Sequence, residues 1–129
     1  METRWLEGLR VYPLRLELRA AGEFRAPEYA GALVRGGFGK TFREAVCVTG
    51  MPTCEGCPHR QTCAYSVVFE TPVGGDFRVL RKYPYAPHPF VIAPLLGVGG
   101  GGDGATGRGE EMAVEVVLIG RGIEYLGQF

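Results

Sequence analysis

The sequence predicts an α+β fold, because patterns of two different periods alternate along one short chain. Leu14, Leu16 and Leu18 alternate with charged residues, which is the period-2 pattern of a strand with one buried and one solvated face. A strongly β-branched run over 112–119 indicates a second strand near the carboxyl end. Between them, apolar residues recur at roughly helical spacing over 27–46. These elements predict one mixed domain.

Length and composition support a single core in a globular chain. A chain of 129 residues can bury about two-thirds of the surface that its unfolded form exposes. Its 21 glycines are more than twice the usual share, so loops must hold many of them. No apolar run approaches 18 residues, and the first residues lack the pattern of a secretory signal. We therefore expect a cytoplasmic protein with no membrane contact.

The charge distribution favours a local anion-binding surface over a polyanion binder that acts by bulk charge. Acidic and basic side chains balance at 14 each, yet residues 35–82 hold seven basic and four acidic side chains. Twelve of the 14 basic residues are Arg, whose planar guanidinium suits phosphate contacts and stacking on bases. A compositional preference for Arg codons would explain the same excess without any function.

The first two elements are a strand over 9–20 and a helix over 27–46. Pro27 fits the first turn of a helix, where its missing N–H costs nothing. The helix is amphipathic. Its apolar stripe consists of Tyr29, Leu33, Phe38, Phe42 and Val46.

Four glycines within this helix, each costing about 1 kcal/mol relative to Ala, call for an explanation. They are Gly31, Gly36, Gly37 and Gly39. Close approach of the sheet below or of a ligand above would explain them. A non-helical backbone here would instead expose N–H groups ahead of Lys40 as a phosphate cradle. It would not be a P-loop, since Val34 stands where the Walker spacing needs glycine.

The second half of the chain predicts a long hairpin and the start of another helix. The apolar run 65–72 fits either a strand or a helix, and prolines around 90–92 indicate an extended edge strand. Residues 97–109 form a glycine-rich hairpin loop before the strand at 112–119. Residues 123–126 fit a first helical turn.

This order is most of a ferredoxin-like, RRM-like β-α-β-β-α-β unit. We expect one domain over 1–129 that is incomplete at its carboxyl end, because the last strand and most of the second helix are not in the sequence.

A cysteine-rich insertion follows the first helix over 47–63. It contains every cysteine of the chain, namely Cys47, Cys54, Cys57 and Cys63. A C-x-x-C pair and two outer thiolates can complete a tetrahedron around zinc, and four sulfur ligands make such a site closed and structural. An iron–sulfur cluster takes the same ligands. Disulfides or free buried thiols are the alternatives, although thiols in the cytoplasm stay reduced.

His59 lies between the expected ligands. It could replace one of them, but a solvent-facing side chain beside Arg60 is the simpler interpretation.

Five segments carry a resemblance to a known family. In order they read YAGALVRGGFGKTFREAVC, CEGCPHRQTCAY, VFETP, PHPFVIAP and VEVVLIGRGIEYL. Over roughly 12–126 the chain resembles the CRISPR precursor-crRNA processing endoribonucleases of the RAMP superfamily. Such proteins have two ferredoxin-like domains in tandem, and this chain resembles most of the amino-terminal one.

The resemblance implies metal-independent cleavage of CRISPR repeat RNA. A ribose 2′-OH would attack its own phosphate and leave a 2′,3′-cyclic phosphate, helped by a base, an acid and a cation. Further partners would be other CRISPR-associated proteins or a second copy. In many relatives a histidine on or near the first helix takes part. Here that helix has none, and His88, between two prolines, is expected to be only a turn residue.

Lys40 is the expected substitute, since an ammonium beside backbone N–H groups can stabilise a phosphorane. Arg35 would clamp the phosphate, and Tyr29 would transfer protons or else belong to the core. The expected RNA contacts are Arg35, Lys40, Arg43, Arg60, Arg81 and Lys82. Two alternatives remain, a non-catalytic RAMP-like RNA-binding or assembly module and a zinc module without an RNA role.

Overall fold

The fold combines a three-stranded sheet and a two-stranded sheet with helices of three kinds. The computed structural model describes residues 6–25, 30–73, 85–95, 105–106 and 111–129. The elements in order are β1 (Val11–Arg19), β2 (Phe24–Arg25), helix α1 (Ala30–Val46), a π-helix (Ser66–Glu70), β3 (Phe90–Leu95), β4 (Ala105–Thr106), β5 (Glu111–Ile119) and a 3₁₀ helix (Gly120–Gln128). The predicted α+β class is confirmed. No helix in these ranges is long and apolar enough to cross a membrane.

The main sheet has three antiparallel strands in the order β1-β5-β3. Val116 of β5 pairs with Leu14 on one side and with Ile92 on the other. The predicted pairing of the 90–92 strand with the 112–119 strand is therefore confirmed, and β3 lies at a sheet edge as its prolines indicated. Of the predicted hairpin loop, only residues 105–106 are described, and they pair with β2.

The core lies on one face of β5, the central strand. Val114, Val116 and Leu118 are 3%, 0% and 0% exposed, and they pack with side chains of α1 and the π-helix. Leu14 and Leu16 of β1 pack against the same cluster, as the period-2 pattern predicted, whereas Leu18 of the same pattern is 44% exposed. The central position explains the burial, because β5 has a neighbouring strand on both sides.

Helix α1 is continuous through its glycines, so the predicted non-helical phosphate cradle is wrong. Close approach of the sheet does not explain the glycines either. An added Cβ at Gly39 would lie 3.1 Å from the ring of Phe69, which belongs to the π-helix, and at Gly31, Gly36 and Gly37 it would meet nothing within 4 Å. The apolar stripe is confirmed in part. Phe38, Phe42 and Val46 pack on the core, whereas Leu33 is 55% exposed.

The ambiguous 65–72 run is helical. Its π-helix ends at Thr71, which has the left-handed φ of 49° and donates its N–H to the Ser66 carbonyl over 2.7 Å. Val68 and Phe69 are buried, and this burial explains the apolar composition of a segment that the pattern alone could not assign. Its last turn faces the residues that precede β3, because the Ala86 N–H donates to the Thr71 carbonyl over 2.9 Å.

Candidate functional site: a cationic groove beside a cysteine cavity

A groove of about 580 Å³ lies between α1, the π-helix and the chain that enters β3. Its lining residues are Arg35, Gly36, Gly39, Lys40, Arg43, Tyr65, Phe69, Glu70, Tyr85, Ala86 and His88. We call it the cationic groove. Helix α1 supplies its three cations. Arg43 lies three positions after Lys40 and eight after Arg35, spacings that place side chains on the same side of a helix. Gly36 and Gly39 also line the groove and leave space between them.

Among the described residues, no carboxylate forms an ion pair with the cations of the groove. Four ion pairs occur among the described residues, and none includes Arg35, Lys40 or Arg43. The guanidinium of Arg35 lies 5.5 Å from the ring centre of Phe90. That of Arg43 lies 5.6 Å from the ring centre of Tyr65 and donates to the Met51 carbonyl over 2.7 Å. The groove therefore presents positive charge held against aromatic rings.

His88 lies on the opposite wall, with Nδ1 2.9 Å from the hydroxyl oxygen of Thr71. That hydroxyl also donates to the Val68 carbonyl over 3.2 Å. In the tautomer that carries its proton on Nδ1, the ring donates to Thr71 and Nε2 keeps the lone pair that can accept a proton. Partial burial, and after it the charge of Arg35, lower the pKa of His88. The neutral imidazole is thus favoured, as a general base requires.

Tyr65 and Glu70 form the rest of this wall. The Tyr65 hydroxyl donates to Glu70 Oε1 over 3.2 Å. Burial, and then the charge of Glu70, raise the pKa of Tyr65, so its hydroxyl stays protonated and keeps donating. The carboxylate of Glu70 is therefore held by a neutral donor.

A second, smaller cavity of about 20 Å³ adjoins the groove and is lined by all four cysteines. We call it the cysteine cavity. Thr49 Oγ1 lies 3.9 Å from the sulfur of Cys47 and 3.7 Å from that of Cys57. The Cys57 N–H donates to the Cys54 carbonyl over 3.2 Å, in a turn where Gly56 has a φ of 77°. Each cysteine is a free thiol.

The cysteine cavity is lined by four thiols, a ligand type that zinc takes when deprotonated. Ser66, which also lines it, is 1% exposed, and its hydroxyl has no hydrogen-bond partner among the described residues. Within those residues, however, no three His, Cys, Asp or Glu side chains are arranged to hold a metal ion. The sulfurs would have to converge to about 2.3 Å from zinc.

The thiols differ in their electrostatics. Hydrogen bonds from the Gly50 and Thr49 backbone lower the pKa of Cys47. Burial, and then the charge of Glu70, raise the pKa of Cys54. His59 is an exposed residue that also lines the cavity.

Contacts from α1 and the 3₁₀ helix hold the cysteine insertion in place. Arg43 of α1 donates to the carbonyl of Met51, in the first half of the insertion. From the 3₁₀ helix, Arg121 donates to the Gln61 carbonyl over 3.2 Å and Tyr125 donates to the Thr62 carbonyl over 3.3 Å. Arg43 and Tyr65 line both the cysteine cavity and the cationic groove. One layer of side chains therefore separates the two sites.

The structure brings three of the sequence-predicted site residues together and separates a fourth. Arg35, Lys40 and Arg43 all line the groove, whereas Arg60 lines the cysteine cavity instead. Three further predicted residues lie outside the described part of the chain, namely Tyr29, Arg81 and Lys82.

Sequence reasoning missed the opposite wall, formed by Tyr65, Glu70 and His88. A signal was available. If α1 packs against the 90–92 strand, the chain just before that strand must lie near the end of the helix, and one of the two histidines of the chain is there.

The fold and site define a small α+β domain with a cation-lined surface groove beside a cysteine-bearing insertion. Residues 9–129 match the sequence model of the AF_1859_N family, described as an N-terminal domain, and the chain belongs to this family. No curated protein and no solved structure matches the chain.

Proposed function

We propose that this chain is the RNA-binding, ferredoxin-like domain of a CRISPR repeat-RNA processing endoribonuclease of the RAMP superfamily. The strand order supports the fold, since a split β-α-β unit places a later strand antiparallel between the first two, as β5 lies between β1 and β3. Five segments of the chain resemble segments of the RAMP-superfamily endoribonucleases and occur in the same order, which supports membership of that superfamily. A second domain, or a second copy, would complete the RNA surface.

The observation that carries the proposal is the meeting of three cations and an oriented histidine in one open groove. Arg35 and Lys40 present charge that no carboxylate among the described residues pairs with, which favours an external anion. The groove volume of about 580 Å³ is in the usual range for sites that hold small ligands, and a nucleotide unit is of that size. RNA backbone supplies both the phosphate and the 2′-OH.

The chemistry follows from the residues present. His88 Nε2 takes the proton of a ribose 2′-OH, the 2′-oxygen forms a bond to the adjacent phosphorus, and the bond to the 5′-oxygen breaks. Lys40 stabilises the charge on the phosphorane and Arg35 holds the phosphate. Since the groove is open, water can protonate the leaving 5′-oxygen. The product is a 2′,3′-cyclic phosphate.

The cysteine cavity has a structural part in this proposal. Cys47, Cys54, Cys57 and Cys63 would hold zinc as a closed site, with an iron–sulfur cluster as the alternative. A bound metal would fix the insertion against the groove wall and supply no reacting group.

Single-turnover cleavage of CRISPR repeat RNA in magnesium-free buffer tests the proposal. We expect a 2′,3′-cyclic phosphate product and a rate that falls about 10²- to 10³-fold in Lys40→Ala, the loss typical of removing one transition-state donor. Arg15→Ala is the control, because this exposed arginine lies on β1 and does not line the groove.

Three outcomes separate the candidate functions. Cleavage that depends on Lys40 supports the enzyme. Salt-dependent binding without cleavage supports the non-catalytic RAMP-like module instead. Absence of salt-dependent RNA binding would contradict both.

A further inference from the structure

The cationic groove contains one carboxylate that phosphate binding does not explain. Glu70 is the sole acidic side chain among the described residues that line it. A carboxylate repels a phosphate, and Glu70 forms none of the ion pairs found among the described residues, so it does not serve to neutralise Arg35, Lys40 or Arg43. A groove built only to follow an RNA backbone would lack it.

Glu70 is also held in one place. The Tyr65 hydroxyl donates to Oε1 over 3.2 Å, and the Tyr65 ring stacks on that of Phe69 with centres 5.4 Å apart and planes 10° apart. Arg43 packs on the same Tyr65 ring and is itself bound to the Met51 carbonyl. An ionised carboxylate has about four acceptor sites, and Tyr65 occupies one. Glu70 therefore lines the groove with one oxygen restrained by Tyr65 and with acceptor sites left on both oxygens.

We propose that Glu70 reads a guanine base of single-stranded RNA in the cationic groove, an inference that rests on the RNA-binding function proposed above. The Watson–Crick edge of guanine presents two adjacent N–H donors, at N1 and N2, which match the two oxygens of one carboxylate. Adenine and cytosine place an acceptor nitrogen beside their single amino group, and uracil places its N–H between two carbonyls. Guanine alone satisfies both oxygens without repulsion.

An exposed aromatic ring supports recognition of an unpaired base. Tyr85 lines the groove and is 45% exposed. Unpaired bases that proteins read by their edges commonly stack on such rings. Tyr85 and Glu70 thus supply the two kinds of contact that a splayed-out base requires.

Binding of short oligoribonucleotides, measured by fluorescence anisotropy at fixed ionic strength, tests the inference. The probes are oligouridines whose central residue is guanosine, adenosine, cytidine or inosine. We expect the guanosine probe to bind about tenfold tighter than the others, the size of a good bidentate contact. Inosine, which lacks the N2 amino group, should lose much of that gain without any change in the protein.

Glu70→Gln should remove the preference for guanosine while leaving affinity for the all-uridine probe equal or higher. Glu44→Gln is the matched control, because Glu44 is an exposed residue of α1 that does not line the groove. Equal affinity of the native protein for all probes, or a guanosine preference that survives in Glu70→Gln, would overturn the inference while leaving RNA binding intact. A preference that survives together with lost cleavage would assign Glu70 to proton transfer and also overturn it. Failure of every probe to bind is a different result, since it contradicts the RNA-binding function itself.

Discussion

The cationic groove and the cysteine cavity share a wall and differ in almost every other property. The groove has a volume of about 580 Å³ and presents cations, a histidine and a carboxylate, whereas the cavity has about 20 Å³ and presents thiols. A large open site suits a ligand that exchanges, while a small site of four sulfurs suits an ion that stays bound. Arg43 and Tyr65 belong to both, so the end of α1 connects a binding surface to a structural one.

The largest expected effect on cleavage comes from substitution of His88, which lines the groove and does not line the cysteine cavity. We expect His88→Ala to slow single-turnover cleavage by about 10²- to 10⁴-fold, the usual contribution of a general base. Thermal stability and the metal content of the cysteine cavity should stay near those of the native protein, because His88 is an exposed residue on the far wall of the groove. A native cleavage rate in this variant would remove His88 from the mechanism.

The pH dependence sharpens the same test. Partial burial and the charge of Arg35 lower the pKa of His88, so its neutral, proton-accepting form predominates above a pKa that is less than the ordinary value of about 6.5. The cleavage rate of the native protein should rise with pH through that pKa and then level off. Because the pKa of His88 is lower in the folded chain, its protonation disfavours the native state, so the stability of the native state falls as the pH drops below about 6.5. A rate that declines as the pH rises from 5 to 7 would indicate an acid role instead.

A smaller effect is expected at the cysteine cavity, where the proposed zinc ion would bind. Loss of one ligand in Cys54→Ser should abolish stoichiometric zinc and lower the free energy of unfolding by about 3 kcal/mol, the stabilisation by a ligand present at about 100 times its Kd. Elemental analysis and thermal melts measure both. His59→Ala is the control and should keep its zinc, because the exposed imidazole is not an expected ligand. If the native protein binds no metal after refolding with zinc, the proposed zinc site is wrong.

The smallest expected effect is on the free energy of unfolding and has opposite signs at two glycines of α1. An added Cβ at Gly37 meets nothing within 4 Å, so Gly37→Ala should raise the free energy of unfolding by about 1 kcal/mol through helix propensity. At Gly39 the same methyl lies 3.1 Å from the Phe69 ring, and Gly39→Ala should lower stability by about 1 kcal/mol because this ring must shift. Urea denaturation compares the two, and an equal gain in both variants would show that the groove floor has room to adjust.

The sequence predicted most local elements. Alternation of leucines found β1, helical spacing found α1 despite its four glycines, and prolines around 90–92 identified β3 as an edge strand. The run 65–72 could not be assigned, because its three consecutive apolar residues, Val67, Val68 and Phe69, show neither the period of a helix nor that of a strand. Its π-helix is explained by burial in the core.

The amino-acid sequence by itself determined the α+β class, the cations of α1 and the cluster of four cysteines, since each of these features depends on residues that are close together in the chain. Only the tertiary structure decided that His88 and Glu70 face those cations, and that Arg60 belongs to the cysteine cavity. Glu70 and His88 lie 30 and 48 positions beyond Lys40 in the chain. The hydrophobic period of a helix or a strand does not predict contacts between residues that are so far apart in the chain. The packing of the π-helix and β3 against α1 sets these distances, because burial of their shared apolar core fixes which polar side chains meet at its rim.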